Sequence, residues 1–221
     1  MRPARTTQSD ADAAHAIDGR QRRSARSRQA IVQSLFELVG SGVLQPTAQQ
    51  VAETAGVGIR SVFRHFADMD SLFAEMDARL QADAVPILRA DPVEGPLDRR
   101  ARALVDHRGA FFERIAPYKR SSNIQRWRSE FLRERHGLLV RALRSDLLRW
   151  LPELRRAPAG LVDALDLALS FEAWDRLRTD QRLSRDRARD VLLRTVLALV
   201  AGLSRKDAHS RVDPQSKRAA S

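Results

Sequence analysis

Hydrophobic residues recur at helical spacing along most of the chain. The first long stripe consists of Ile31, Leu35, Leu38 and Val39 at positions i, i+4, i+7 and i+8, which is the pattern of an amphipathic helix. The same spacing predicts further helices at residues 98–116, 119–149, 161–178 and 185–203. No segment alternates with period two for long enough to make a strand, so the pattern predicts an all-α protein.

The helical spacing stops near both ends and at one internal cluster. Residues 1–19 and 204–221 contain few large apolar side chains, and both segments are predicted to be disordered. The run DPVEGP at 91–96 is rich in proline and glycine and predicts a loop between two modules. A chain of 221 residues is long enough for one or two compact domains.

One short stretch of the chain has the spacing of a helix-turn-helix. Thr47 can cap a short helix, because its hydroxyl can accept from an amide in the first turn. Gly56 ends that helix, since glycine readily takes the left-handed conformation of a sharp turn. Counted from Ala48, the small Ala52 is fifth, Gly56 is ninth and the apolar Val62 is fifteenth. This order predicts two crossed helices joined by a tight turn.

The second helix of this motif leaves an unusual mixture of side chains outside. Val62 and Phe66 share its buried face at i and i+4. The residues turned outward are Ile59, Arg60, Phe63 and Arg64. Such a mixture needs a covering partner, and the formal charge of +11 with a pI near 11.3 favours nucleic acid. A general overuse of arginine is the alternative explanation of the charge, since the chain has only three lysines.

Residues 47–73, TAQQVAETAGVGIRSVFRHFADMDSLF, resemble the DNA-binding motif of the tetracycline-repressor (TetR-type) family of bacterial regulators. The resemblance implies a helix-turn-helix DNA-binding domain at 20–69. It also implies a larger helical domain at 70–203 that binds an effector and forms a dimer. In this arrangement the helix near 59–65 enters the major groove of DNA.

The same resemblance implies individual DNA contacts. It places Gln49, Ile59 and Arg60 at base edges, Thr47, Ser61 and His65 at phosphates, and Arg64 at either. Arg60 is the strongest candidate for reading sequence, because a guanidinium can pair twice with guanine. The motif departs from the family pattern at three positions: Gly58 replaces a capping serine, Phe63 replaces a tyrosine that donates to phosphate, and Met69 replaces a lysine.

A basic segment precedes the motif. RQRRSARSR at 20–28 carries five arginines. One interpretation is an arm that contacts phosphates or the minor groove. The other is a solvated run of arginines, and the sequence leaves both open.

The last two predicted helices each carry more than one apolar face. In the first of them, Leu165 and Leu169 lie on one side and Leu167 lies on nearly the opposite side. In the second, Val196 and Leu199 share one face. We therefore predict a homodimer held by a four-helix bundle, with its interface at Leu165, Leu169, Val196 and Leu199. A fully buried helix pair within one domain is the alternative.

Aromatic side chains concentrate in the middle of the chain. The resemblance implies an effector cavity in the larger domain, and its candidate lining residues are Phe112, Trp127, Phe131 and Trp174. Ordinary core packing is the alternative for each of them.

Catalytic and metal-binding patterns are missing from the sequence. It has no cysteine, and its five histidines show no metal-ligand spacing. No apolar run reaches the roughly 20 residues of a membrane-spanning helix, and the first residues lack the apolar centre of a secretory signal. We predict a cytoplasmic protein without enzymatic activity, metal or cofactor.

These features together predict a dimeric, DNA-binding transcriptional regulator. Its expected partners are a palindromic operator in double-stranded DNA, a second copy of the chain, and a small-molecule effector that releases a repressor from that operator. A helix-turn-helix protein that answers to a protein partner, or to no effector, is the alternative.

Overall fold

A computed structural model describes the backbone of residues 7–210 and the side chains of residues 21–201. Regular secondary structure in this part of the chain is entirely helical, which confirms the all-α prediction. The helices are α1 (Thr7–Gly40), α2 (Ala48–Thr54), α3 (Ile59–His65), α4 (Met69–Leu88), α5 (Leu97–Gln125), α6 (Glu130–Trp150), α7 (Ala159–Ala168), α8 (Phe171–Asp175) and α9 (Arg185–Ser210). A 3-10 turn follows α6 at Pro152–Arg156, and a π-helical turn follows α8 at Arg176–Asp180. Within the described residues, no helix has the length and hydrophobicity to cross a membrane.

The chain packs as two units. The first contains the described residues through Gln81 together with Pro117–Arg133, and the second contains Ala82–Ala116 together with the residues from Glu134 onward. The predicted DNA-binding segment at 20–69 lies within the first unit. That unit extends further along the chain because the end of α5 and the start of α6 pack on the same core as α1.

The core of the first unit is apolar and follows the predicted stripe of α1. Ile31, Leu35 and Val39 are buried in it, as the spacing requires. They pack with buried residues of α2 to α4 and α6, which are Val51, Ala52, Val62, Phe66, Leu72, Phe73, Met76 and Leu132. Helices shorter than about 12 residues are marginal alone, so α2 and α3 depend on this packing for their stability.

The ends of the described chain are more helical than predicted. Helix α1 begins at Thr7, so the backbone of residues 7–19 is helical. Helix α9 continues to Ser210 and includes residues 204–210. Extending an existing helix costs little, and the alanines between residues 11 and 16 favour it at the start of α1. A helical backbone does not test the disorder predicted for the two segments, which stays a prediction. Residues 1–6 and 211–221 lie outside the described part.

Helix α5 runs past its predicted end at residue 116. The helix continues through Pro117, although a proline removes one backbone hydrogen-bond donor. Ala116 before it and Lys119 after it are buried, and this packing keeps the segment helical. The break comes at 126–129 instead. There the hydroxyl of Ser129 accepts from the amide of Leu132 at 3.1 Å and caps α6.

The helix predicted at 161–178 is divided. Helix α7 ends at Ala168, and Ser170 caps α8 by accepting from the amide of Ala173 at 3.2 Å. Serine competes for backbone donors in this way and therefore interrupts a helix whose apolar spacing continues.

The second unit encloses charged side chains in its core. Arg108 is completely buried, and its Nε donates to Oδ2 of Asp146 at 3.1 Å. Its other nitrogens donate to the carbonyls of Leu169 and Leu143. Burial alone would raise the pKa of Asp146, but the neighbouring His107, whose Nε2 lies 3.6 Å from Oδ2, and the charge of Arg108 hold that pKa below its ordinary value.

A second acidic centre in this unit is Glu113. Its carboxylate accepts from Nε of Arg178 at 2.7 Å, from Nε of Arg185 at 2.8 Å and from the indole Nε1 of Trp174 at 3.1 Å. Burial opposes ionisation of Glu113, yet the hydrogen bonds from both arginines lower its pKa. Arg108, Arg178 and Arg185 are thus committed to internal partners.

Candidate nucleic-acid interface

Helix α2 begins with a capping box. The hydroxyl of Thr47 accepts from the amide of Gln50 at 3.2 Å, and the side chain of Gln50 accepts from the amide of Thr47 at 2.9 Å. These reciprocal bonds satisfy two backbone donors that a helix start leaves open. The same hydroxyl donates to Oε1 of Gln50 at 3.2 Å. A phosphate contact by the Thr47 hydroxyl therefore requires that this bond be exchanged.

The turn between α2 and α3 depends on Gly56. Its φ is +64°, in the left-handed region that favours glycine. The amide of Val57 donates back to the carbonyl of Ala52 at 3.0 Å, which closes the turn over the small side chain of Ala52. Gly58 then starts α3 without a side-chain hydrogen bond, in agreement with the missing serine cap.

The two faces of α3 separate as its spacing predicts. Val62 and the following Phe66 are buried in the core of the first unit. Ile59 is 39% exposed and Phe63 is 51% exposed, although apolar side chains of this size usually find cover. Single exposed apolar residues are ordinary, but two adjacent ones on one short helix form a surface that suits a partner.

The polar side chains of the motif differ in how free they are. Arg60 is exposed and forms no hydrogen bond or ion pair within the described residues. Arg64 donates to the hydroxyl of Ser61 at 3.2 Å, and Gln49 donates to Glu53 at 2.7 Å. Arg60 therefore needs no rearrangement to meet a partner, Gln49 already uses one amide N–H on Glu53, and the Ser61 hydroxyl accepts from Arg64 with its own O–H left to donate.

Of the residues predicted to contact phosphate, His65 has the least suitable environment for that role. Its Nε2 is enclosed and has no hydrogen-bond partner. Burial, followed by the charges of Arg64 and Arg28, lowers the pKa of His65 and favours the neutral imidazole. A neutral ring offers a phosphate one N–H donor and no charge.

Arg28 fixes α3 against the rest of the unit. Its guanidinium donates to the carbonyl of His65 at 3.0 Å and to Glu75 on α4 at 2.7 Å, and it lies 4.4 Å from the ring centroid of Phe66. The sequence analysis counted this arginine in the basic segment 20–28, which was open to interpretation as an arm or a solvated run. It gave no signal of the pairing, because the partners of Arg28 are 37 and 47 residues away. The rest of the segment 20–28 is a helical part of α1.

Comparison with known proteins identifies the fold of this chain. No protein-family model matches the chain, and no curated protein matches it significantly. A solved transcriptional regulator from Rhodococcus sp. Rha1 is 20% identical with a TM-score of 0.60, and the match covers 81% of this chain and 96% of that one. A tetR-family transcriptional regulator from Streptomyces coelicolor is 19% identical with a TM-score of 0.63, covering 83% and 84%. The chain has the TetR-type regulator fold.

A third structure of the same fold is described as a multidrug binding protein. It is EbrR, complexed with imidazole, which is 21% identical with a TM-score of 0.54 and matches 76% of this chain and 88% of its own. At these identities the comparison establishes the TetR-type fold.

The predicted dimer contacts of the TetR-type fold need correction. Leu165, Leu169 and Val196 are completely buried within the single chain, so they have no surface left for a partner. Leu199 is half-buried. The two apolar faces of α7 and α8 both find cover in their own unit, with the exception of Leu167, which is 72% exposed. The sequence pattern showed that both apolar faces must be covered. It could not show whether the same chain or a second subunit covers them.

The four predicted effector-pocket residues fall in different units. Phe112 and Trp174 are buried together in the second, with ring centroids 6.5 Å apart, and both belong to a cluster with Phe171. Trp127 and Phe131 belong to the first, where Phe131 packs on the core and Trp127 is exposed. The structure thus brings two of the four together.

Proposed function

We propose that this protein is a dimeric, DNA-binding transcriptional regulator without catalytic activity that acts in the cytoplasm. In the proposed mechanism it represses by holding a palindromic operator and releases that operator when a small molecule binds. The observation that carries the proposal is the exposed surface of α3, where unpartnered Arg60 lies between Ile59 and Phe63 on a helix braced from behind.

The surface of α3 has the properties that base reading requires. The turn at Gly56, the buried Val62 and the Arg28 bonds fix the position of the helix, so that little ordering remains for the moment of binding. A free guanidinium on such a helix can donate twice to guanine O6 and N7, while apolar neighbours can contact thymine methyl groups.

Dimerisation is proposed through the exposed side of α9 with Leu167 of α7. Val191, Thr195 and Ala198 follow one another at i, i+4 and i+7 and are all exposed. Small side chains permit close approach of two helices, and a two-fold axis would pair this face with itself. Two recognition helices would then face two half-sites about 34 Å apart on one side of the DNA.

Effector control is proposed from the fold and from the buried aromatic cluster around Phe112 and Trp174. An effector that favours one spacing of the two recognition helices must weaken DNA binding that prefers another. Control by a protein partner, or by nothing, is the alternative. The discriminating measurement adds a panel of small molecules to a preformed DNA complex and follows release.

The proposed function is tested by selecting bound fragments from the DNA of the source organism and measuring affinity for them. The wild-type chain should prefer near-palindromic fragments. Arg60→Ala should lose about 1 to 3 kcal/mol per contact and relax the preference at one symmetric position. Arg155→Ala, an exposed arginine of the second unit, is the control and should change neither. A wild-type chain with no preference among fragments would contradict the proposal.

A further inference from the structure

The end of α5 and the turn that follows it are fastened beside the helix-turn-helix. The hydroxyl of Ser121 donates to the carbonyl of Leu44 at 2.9 Å, and Nε2 of Gln125 donates to the same carbonyl at 3.1 Å. The ring of Tyr118 meets Phe36 edge-on, with centroids 5.2 Å apart. The segment Pro117–Arg133 is therefore an integral part of the first unit.

This segment is strongly basic for its length. Between residues 117 and 133 it carries five lysines and arginines against one glutamate. Arg126 and Arg128 form no ion pair among the described residues, and Arg128 is exposed. Their positive charge has not been committed to an internal carboxylate, unlike that of Arg108 in the second unit.

The turn also displays the most exposed large apolar side chain of the described residues. Trp127 is 78% exposed, and the guanidinium of Arg126 lies 5.6 Å from its ring centroid. Ile124 and Leu44 are also exposed. This combination of apolar side chains with arginines that have no ion pair among the described residues repeats the composition of the α3 surface, where Ile59 and Phe63 accompany Arg60 and Arg64.

We propose that the turn Arg126–Trp127–Arg128 is a second DNA contact, which binds the sugar-phosphate backbone beside the segment read by α3. The proposal rests on the proposed function of α3 and extends it. Leu44, which anchors the turn, is three residues before Thr47 at the start of α2, so the two lie within about 11 Å along the chain. Duplex DNA carries one charge per roughly 1.7 Å of axis, so phosphates continue past any contact at that helix start.

Each residue of the turn has a distinct part in this contact. Arg126 and Arg128 neutralise phosphates, and Trp127 covers the deoxyribose edge while its ring holds Arg126 in place. Such contacts add affinity and fix register without reading bases. An acidic protein surface is the other ligand that would fit these side chains. The duplex-binding measurements below show whether DNA is the ligand.

The first measurement is the salt dependence of affinity for a selected duplex and for a scrambled one. Replacing both arginines, as Arg126→Ala with Arg128→Ala, should reduce the slope of log K against log salt by about 1.8 per subunit. Sequence preference should stay as in the wild-type chain. The control is Arg155→Ala with Arg156→Ala, two exposed arginines of the second unit, which should leave the slope unchanged.

The second measurement is acrylamide quenching of tryptophan fluorescence. Trp150 and Trp174 are buried, so quenching of the free protein comes mainly from Trp127. Adding duplex should protect the wild-type chain and should have little effect on Trp127→Phe. Unfolding midpoints equal to that of the wild-type chain show that each variant is folded.

An unchanged salt slope in the double variant, or an indole that stays as quenchable with duplex as without, overturns the second contact. If Arg60→Ala still relaxes sequence preference in that case, the proposed function stands and only this inference falls. If the wild-type chain binds no duplex, the proposed function falls first.

Discussion

One arginine of the first unit and one of the second have opposite roles. On α3, Arg60 is exposed and has no partner within the described residues, whereas Arg108 of the second unit is completely buried and donates to a carboxylate and two carbonyls. Glu113 likewise engages Arg178 and Arg185. Net charge therefore says less about DNA binding than the location of unpaired charge does.

The two units also differ in how strongly substitutions affect their stability. The core cluster of the first unit around α1 is wholly apolar, and the charged side chains of α3 lie outside it, so the α3 surface can change with little effect on folding. The second unit depends on a buried ion pair, and breaking such a pair leaves a charge without compensation. Substitutions in the two units should therefore separate stability from DNA binding.

The largest effect is expected from Arg108→Leu. It leaves Asp146 buried beside His107 and Arg149 and removes the donors of two carbonyls. Loss of one partner of a buried pair costs about 3 to 5 kcal/mol. Urea unfolding measures the loss. Arg144→Leu is the control, because its pair with Asp163 is half-exposed and should contribute less than about 1 kcal/mol.

One further variant and a pH series sharpen this prediction. Replacing Arg108 and Asp146 together with leucine should restore most of the lost stability, since an apolar pair carries no desolvation cost. Because the pKa of Asp146 is lowered in the folded protein, its contribution is complete above the ordinary aspartate pKa of about 3.9 and disappears as the pH falls below it. Arg108→Leu should flatten this acid limb. A loss equal to that of Arg144→Leu would show that the buried pair contributes no more to stability than an exposed one.

A smaller effect is expected from Gly109→Ala. A Cβ at this position of α5 would lie 3.0 Å from Cη2 of Trp174 and 3.2 Å from Cζ3, so the indole must shift. Overpacking of this kind costs about 1 to 3 kcal/mol. Gly137→Ala in α6 is the matched control, because its Cβ would contact a flexible arginine at 3.4 Å. It should stabilise the protein by about 0.5 to 1 kcal/mol. Equal unfolding midpoints for the two variants would contradict the packing argument.

Sequence reasoning succeeded where partners are local and failed where they are distant. The positions of Ala52, Gly56 and Val62 follow from spacing, and the structure has the turn and the buried face there. The partners of Arg28 and Arg108 lie more than 30 residues away, so no pattern within one helix contains them. Periodicity showed a second apolar side of α7 without showing which of its residues the chain itself would cover.

In the first unit the expected effect on DNA binding exceeds the effect on stability. Arg28→Ala removes the bonds to the carbonyl of His65 and to Glu75 and the contact with the Phe66 ring. We expect a loss of about 1 kcal/mol in unfolding, because the guanidinium is partly exposed, and weaker binding to specific DNA as α3 loses its brace. Arg79→Ala, whose pair with Glu75 is 3.9 Å long, is the control. If both variants bind DNA as tightly as the wild-type chain, Arg28 does not position α3.

The smallest effect is expected at the start of α3. Gly58 is the N-cap residue with φ −71° and ψ 147°, an extended conformation open to any residue, and a Cβ there would meet nothing within 4 Å. Gly58→Ser should therefore add the missing cap and stabilise the protein by a few tenths of a kcal/mol, while Gly58→Ala should destabilise it. The two variants share the Cβ, so their difference of about 1 kcal/mol measures the hydroxyl alone. Urea unfolding gives this difference, and duplex binding shows whether the hydroxyl at the edge of the α3 surface also reaches phosphate. If the Gly58→Ser and Gly58→Ala variants are equally stable, the first amides of α3 are already hydrogen-bonded to water. The glycine at this position then does not lower the stability of the fold.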